Sequence, residues 1–504
     1  MLKQIPTVLL ALALSGCAVV DPRSDYKRVQ DLLAESVGRR EVYLPDDDEL
    51  VARRVDELLD GGVTTDDAVR ICLLNNPTLQ AAFFEIGMAR ADVVQAGLLS
   101  NPTIGLSLRL PSGGGLANFE AGLTQNIAEL WQIPARTRAA ERRLDAKILD
   151  VARRLGSAAV EARATYFRSV AADRLEGIAR ENLRIAEQLA DMTLTRRRAG
   201  AGSKMEVNLS RAEVLEVRLT LRAAETRAFE SRRDLAVLMG LATPFAALEM
   251  VDDLPDALDW TVDRDRLVAL AMEHRLDIRS AQSAVYAARA KHKMELSRVF
   301  RSVQVGVALE RAERSRSKGR DIPSEIVHNS LQSGSLARPN AVPDKDKNTD
   351  FIIGPSLSLE LPIFDQNRAQ IAKAQYAHRR AIKQYEALVR TVFQDAYLAY
   401  EKGRIAADVA RFFQKELLPL RQSNLDLVRE AFRAGRVNLV LVLDAQRSLI
   451  DSRARYVEAR RDAAVTLTEL EKVAGRPMVE ILNATAGTRD LTEEVNLRKE
   501  DEDE

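Results

Sequence analysis

Hydrophobic and polar positions along this chain follow two periods, and the switches between them divide it into elements. From Val69-Arg70-Ile71-Cys72-Leu73-Leu74-Asn75-Asn76-Pro77 to about Ser100, apolar residues recur at three- and four-residue steps, which predicts helix. At Thr103–Leu110 the pattern becomes strict alternation. Ile104, Leu106, Leu108 and Leu110 share one face, with Thr103, Gly105, Ser107 and Arg109 on the other. Phe119, Ala121, Leu123 and Ile127 alternate with polar or small residues in the same way over 119–127. Beyond Pro134 the helical period returns and continues to a glycine-containing turn near Gly200, after which a shorter amphipathic helix runs back to about Met239. The series then begins again. Val268–Leu276 opens a helical stretch in which Ala288-Arg289-Ala290 matches Ala89-Arg90-Ala91 of the first, at a spacing of about 200 residues. Alternating segments follow at about 303–310 and 351–361. A long helical pattern from Asn367 to Gly435 comes next, interrupted by Pro419, where a kink is expected. A last helix runs to about Val473. Helix, strand, strand, long helix, helix is therefore written twice.

The alternating segments fit either a half-buried sheet on a soluble core or the strands of a membrane barrel. Each run has about the 9–11 residues of a tilted membrane strand, and its polar face carries mostly small residues, as a water-filled lumen requires. Four strands cannot close a barrel, and an open edge is not viable in lipid. Two chains would supply eight strands, enough only for a side-chain-filled interior, whereas three would supply twelve and leave a passage. The long helices show Val389, Val392, Phe393, Ala396, Tyr397 and Tyr400 as a narrow apolar seam flanked by charges, the coiled-coil pattern. A continuous helix from Pro134 to Gly200 would be ~100 Å long. The fold class expected is mostly α with a membrane β-barrel, four strands per chain closing twelve in a homotrimer, with long coiled-coil helices.

Composition narrows the function. Seventy-four basic residues against 74 acidic leave no bulk positive charge, so a nucleic-acid partner is not expected. Two cysteines exclude a disulfide framework or a thiolate cluster, and His274, His292, His328 and His378 are scattered, so no metal centre is expected. Asp344, Asp346, Asn348 and Asp350 superficially suggest a calcium loop, but Thr349 and Pro355 stand where glycine and glutamate are needed. A solvated loop over about 311–350 is the better reading. Asp46–Glu49 and the acidic 500–504 read as solvated charge. Nothing is catalytic in pattern, and no cofactor is implied. Beyond the first twenty residues no apolar run reaches the ~18 of a spanning helix. Residues 1–16 read as a signal peptide, and Leu14-Ser15-Gly16-Cys17 resembles the lipobox of bacterial lipoproteins, which implies acylation of Cys17. An ordinary secretory signal with an incidental cysteine is the alternative. Ala18 after the cysteine implies sorting to the outer membrane. Cys72 lies in an apolar helical pattern and reads as packing.

Asp67-Ala68-Val69 with Asn75-Asn76-Pro77-Thr78-Leu79, Leu99-Ser100-Asn101-Pro102, Leu361–Arg368 and Val442–Leu449 occur in an order, spacing and duplication that resemble the outer-membrane efflux channel (TolC-like outer membrane factor) family. The resemblance covers most of 62–475. It implies two repeats at 62–240 and 264–475 and a trimeric barrel continued by a long α-helical coiled-coil tunnel through the periplasm. A lipidated equatorial segment at 17–61, a linker at 241–263 and an acidic equatorial or tail segment at 476–504 complete the chain. It also implies the function: the passive outer-membrane duct of a tripartite efflux or type I secretion system, fed by an inner-membrane pump through a periplasmic adaptor. A non-conducting lipoprotein scaffold or adaptor is the alternative, and it leaves the four strands unexplained.

Family resemblance puts adaptor docking and tunnel closure at the hairpin tips: Arg198, Gly200, Gly202, Ser203 and Glu206 on the first, Phe432, Gly435, Arg436, Val437 and Asn438 on the second. Two aspartates one helical turn apart form the constriction in the family; here their positions are Leu441 and Asp444. Phe432 and Val437 stand where other members carry a tyrosine and an arginine that hold the closed state, while Glu206 keeps an acidic partner on the first tip. An apolar constriction is expected in place of a polar lock.

Overall fold

A computed structural model describes residues 19–45, 47–110, 117–242, 248–256, 262–317, 330–335, 345–477 and 480–481. The signal segment with Cys17, the Pro111–Gly115 turn, Asp344, most of the loop between the second strand pair and the acidic C-terminal stretch lie outside them. The first elements are α1 (Arg23–Val37), α2 (Asp48–Leu59), α3 (Thr65–Asn75), α4 (Pro77–Gly97), β1 (Thr103–Arg109), β2 (Asn118–Asn126), α5 (Glu129–Arg198) and α6 (Lys204–Leu238). The same order then repeats with α7 (Arg264–His274), α8 (Leu276–Ser297), β3 (Val303–Ser317), β4 (Lys345–Leu359) and α9 (Arg368–Phe412). A π-helical turn at Phe413–Leu417 leads into α10 (Leu418–Arg433), and α11 (Leu439–Ala474) closes the repeat. The chain is mostly helical. No described helix is long and apolar enough to cross a membrane.

Local chemistry explains where these elements differ from expectation. The first helical stretch breaks at Asn76, which is extended because Pro77 disfavours helical backbone in the residue before it. The long helix begins at Glu129, and Pro134 is taken into its opening turns. Ahead of Pro419 the helix changes form. The N–H of Leu418 donates to the carbonyl of Phe413, five residues back, so one extra residue is absorbed just ahead of the proline. Strands β3 and β4 stay paired well past Glu310 and Phe351, out to Ser317 and Lys345, so less of 311–350 is loop than the pattern suggested. Asp47 is the N-cap residue of α2, and Asp48 and Glu49 fill its first turn, where a helix dipole favours negative charge. This is a structural reason for the acidic run.

The described chain forms two compact units. One holds the chain up to Asp92, Glu141–Ala287 and Arg379 onward; the other holds Val93–Ala140 and Ala288–His378. In the first, α1 is tied down through Asp25, which is buried and receives two hydrogen bonds from Arg90 at 2.7 and 2.6 Å. Tyr166 of α5, fully buried, donates to the Val63 carbonyl and accepts from the Asp252 N–H, both at 2.9 Å. It thereby fastens the bridge between Val63 and Met250, and burial pushes its hydroxyl up to about 12. Cys72 is buried packing, its thiol likewise pushed up to about 12 by burial. Each repeat ends on its own beginning. Asn75 and Asn76 donate to the carbonyls of Met239, Gly240 and Leu238 at the close of α6. In α9 the buried seam is Val392, Ala396 and Ala399, whereas Phe393 and Tyr397 of the expected seam remain about half exposed.

The second unit carries a four-stranded antiparallel sheet in the order β1-β2-β3-β4. Across it, Leu106 pairs with Ala121, Ala121 with Leu309 and Leu309 with Ile353, an apolar row. The row beside it, of opposite parity, is Gly105, Gly122, Ala308 and Gly354. Ile104, Leu106, Leu108, Ile353 and Leu357 are each at least 64% exposed, so the apolar face is uncovered within one chain. The turn from β4 into α9 is held by Asn367, whose φ of 60° is left-handed. Its buried amide donates to the Glu295 backbone carbonyl at 2.8 Å and to its carboxylate at 3.1 Å. Burial penalises the Glu295 charge, but hydrogen bonds from Lys291 and Asn367 outweigh that and hold its pKa below the usual carboxylate value. The resulting stability is present above the unfolded-state pKa and is lost as the pH falls through the lower, folded-state value.

Replacing Asn367 by Ala removes both amide bonds and puts a residue that tolerates left-handed backbone less well than Asn in its place, so the junction should lose about 2–3 kcal/mol. Asn367→Gly should lose less, because the backbone strain is absent. Thermal midpoints of the two variants check this; equal losses would mean that the backbone conformation contributes nothing.

Candidate gate and docking site at the hairpin tips

Both tips are the same turn written twice. In the first, the N–H of Ala201 donates to the Arg196 carbonyl at 2.9 Å and that of Gly200 to Arg197 at 3.0 Å. In the second, the N–H of Arg436 donates to Ala431 at 2.9 Å and that of Gly435 to Phe432 at 3.0 Å. This closure needs left-handed backbone at its fifth residue, and Gly200 and Gly435 supply φ of 78° and 72°. Three residues later each returning helix is capped, α6 by Ser203 and α11 by Asn438, whose side chain accepts from the Leu441 N–H at 3.1 Å. A Cβ at Gly202 would lie 3.1 Å from the Arg197 nitrogen and 3.3 Å from the Glu206 carboxylate, a tight contact that its neighbours would have to ease.

The copies diverge at the sixth residue after the glycine. On the first tip it is Glu206, whose carboxylate accepts from the Ser203 N–H at 2.9 Å and completes a capping box. Its carboxylate thus serves its own helix end. On the second tip the equivalent residue is Leu441, which cannot reciprocate and stands 44% exposed. Asp444, one turn on, is exposed on the same side of α11. The opposite side of that helix is packed: Leu439, Val442 and Leu443 are buried with Leu189 of α5 and Phe432 of α10. Leu441 and Asp444 therefore share the face that the protomer's own core does not use.

Phe432 and Val437 belong to this packing. Phe432 is buried, Val437 packs on its cluster, and the Arg196 guanidinium lies over the Phe432 ring at 4.5 Å. A cation–π contact and an apolar cluster join the two tips at these positions. Arg198 and Arg436 lie at the exposed turns themselves. The sequence reading missed the polar clamp behind the tips. Arg447 donates to both carboxylate oxygens of Glu213, which is buried, and reaches Glu216 at 3.1 Å. The Glu213 hydrogen bond raises the Arg447 pKa. Buried Gln446 donates to Asn182 at 3.2 Å, and buried Thr193 and Ser210 share a hydrogen bond of 2.8 Å. Glu213 lies one heptad after Glu206 and Arg447 one turn after Asp444. That spacing was the available signal, but partners on separate hairpins leave no mark of their pairing in the sequence.

Two helical hairpins ending in duplicate tips, with a strand pair inserted in each repeat, define the class of helical-hairpin channel subunits. Residues 68–241 and 267–476 match the family described as outer membrane efflux protein, and the chain belongs to that family. It is an outer-membrane efflux channel component, and the non-conducting scaffold is set aside. It is 26% identical over 428 residues to the pyoverdine export outer membrane protein OpmQ of Pseudomonas aeruginosa, covering 81% of this chain and 82% of that one. It is 25% identical over 424 residues to the cobalt-zinc-cadmium resistance protein CzcC of Cupriavidus metallidurans, covering 82% and 91%. The fold is similar to the CmeC outer membrane channel of Campylobacter jejuni, with a TM-score of 0.65 at 15% identity over 82% of this chain and 85% of that one. It is also similar to the outer-membrane channel OprN, with a TM-score of 0.63 at 18% identity over 89% and 96%.

Removing the clamp should loosen the tip. Because Arg447 is more than half exposed, solvent screening reduces its pairing with Glu213 to about 0.5–1 kcal/mol. A double-mutant cycle of Arg447→Ala and Glu213→Gln, read by hydrogen exchange in the first turns of α11, should return a coupling of that size. Strictly additive variants would show that the two side chains act separately.

Proposed function

We propose that three copies of this chain close a twelve-stranded barrel in the outer membrane and a helical tunnel below it, through which cargo leaves the cell passively. The observation that carries this is the sheet. Its apolar face is exposed in the single chain, and β1 and β4 are edge strands whose backbone groups need partners in lipid. The helices support the same assembly. Leu398, Ile405, Phe412, Leu420 and Leu427 of α9 and α10 are each 48–64% exposed. Their steps are seven residues except across the π turn, where the step is eight. In an unbroken α-helix that extra residue would rotate the stripe by roughly 80°. The wider π turn absorbs it and keeps the apolar stripe on one side, ready for a neighbouring helix.

The exposed turns around Gly200 and Gly435, with Arg198, Ser203, Arg436 and Asn438, offer the surface for a periplasmic adaptor that couples the duct to an inner-membrane pump. Leu441 and Asp444 form the constriction. Threefold symmetry would bring three of each together, a carboxylate ring that attracts cations beside an apolar ring that resists wetting. Cys17 carries the lipid anchor, as the lipobox resemblance implies. Relatives of similar identity are named for pyoverdine export and for cobalt-zinc-cadmium resistance, which supports a conduit whose architecture is not tied to one cargo.

An Arg on the lipid face at mid-membrane costs about 2–4 kcal/mol, and a trimer incurs it three times. Leu106→Arg should therefore abolish the heat-labile trimer in outer-membrane fractions, while Ser107→Arg, one residue away on the other face, should leave it intact. The reverse result would mean that the faces are assigned wrongly.

In planar bilayers Asp444→Asn should lower cation selectivity. Leu441→Asp should raise conductance or strengthen block by multivalent cations. If neither measurement changes, the constriction lies elsewhere.

A further inference from the structure

The chain balances 74 basic residues against 74 acidic, but the balance fails at the hairpin tips. Each tip runs from the carbonyl that accepts its closing turn to the third residue of the returning helix, 196–206 and 431–441. Arg196, Arg197, Arg198, Lys204, Arg433 and Arg436 stand there against one acid, Glu206. That carboxylate is committed to the Ser203 N–H at 2.9 Å. Counting the flanking Glu430 and Asp444 as well leaves six against three. Arg196 is partly buried over the Phe432 ring. The other five basic residues are exposed, and none of them has an ion pair among the described residues. Along the helices, by contrast, Arg180 meets Glu176, Arg222 meets Glu225 and Arg404 meets Glu401, each one turn away. Local need covers part of the excess. Arg196, Arg197, Arg198 and Arg433 fill last turns, where the helix dipole favours cations. Lys204 is instead the first residue of α6, the end at which a cation is disfavoured, and Arg436 lies in the turn between two helices. The dipole does not account for these two. The face assigned to the constriction carries the opposite sign, in Asp444, so a filter for anionic cargo is not what the basic residues build.

We infer that the periplasmic adaptor meets these tips with an acidic loop, whose attraction to the exposed arginines and lysine speeds docking and sets its register. The inference rests on the docking reading above and adds the chemistry of the partner. Charge complementarity selects it. Exposed like charges crowded at a helix end repel one another, and with no carboxylate of the chain to pair them, relief comes from outside. Threefold symmetry would repeat the excess around one ring and strengthen its field. Charges at the rim of an interface act chiefly on the association rate and on its response to salt, and these are the quantities to measure.

The test flows the purified adaptor of the same efflux system over immobilised, detergent-solubilised full-length trimer at low and at high salt. Wild-type association should be fast at low salt and slow markedly at high salt. The variant Arg197→Gln, Arg198→Gln, Arg433→Gln, Arg436→Gln should associate about tenfold more slowly at low salt and lose most of the salt response. Lysine at the same four positions should restore both, because charge rather than shape is at work. The single variants Arg433→Gln and Arg436→Gln should each slow association in part, and they decide the matter if the fourfold variant does not assemble. Gln variants that associate like wild type, or lysine replacements as slow as the glutamines, would overturn the inference. So would a change of ion selectivity in planar bilayers with association unchanged, which would assign these residues to the pore. If wild type binds no adaptor, the docking reading falls and the acidic loop with it; if it binds without any response to salt, the acidic loop alone falls.

Discussion

Every N–H and C=O of a β-strand must be hydrogen-bonded, and in hydrocarbon only another strand can do it. That constraint organises this molecule. A single chain brings four strands with one apolar face and two edges, which is too little to close and too exposed to stand alone. The duplication supplies two strand pairs instead of one, halving the number of chains needed for a given barrel. The row of Gly105, Gly122, Ala308 and Gly354 then matters for what it lacks, since a face of such small residues would leave room inside the proposed barrel.

The same economy appears at the hairpin tips. The two tips share one closing turn, one glycine position and one capping position, and differ where the sixth residue either returns a carboxylate to the cap or does not. Glu206 is held by its own helix end, whereas Leu441 has no such tie. The absence of one local hydrogen bond is what separates an engaged position on the first tip from an available one on the second. The clamp of Arg447 and Glu213 and the cluster around Phe432 lie behind this face and hold the two hairpins together without occupying it.

Much of this was legible in the residues. The alternation of Ile104, Leu106 and Leu108 announces a strand with one apolar face, since period-two patterning is a local property of extended backbone. The glycines at both tips and the residues three positions beyond them mark turn and cap for the same reason. Legibility failed where geometry depends on distant groups. Asn367 looked like the start of a helix, yet it is left-handed because its amide reaches Glu295, 72 residues earlier in the chain. Pro419 marked an interruption, but not that the helix takes up an extra residue in a π turn just ahead of it. Phe393 and Tyr397 matched a buried seam by period alone, while the protomer buries Val392, Ala396 and Ala399.

What the sequence determined by itself was the order of elements, their duplication, the faces of the strands and the positions of the turns. All of these follow from the chemistry of residues within one or two turns of each other. Tertiary structure decided which carboxylate is engaged across the hairpins and which face is left over: Glu213 buried under Arg447, Leu441 and Asp444 on the unused side of α11. A side chain's availability depends on what packs against it from elsewhere in the chain, and no local pattern encodes that.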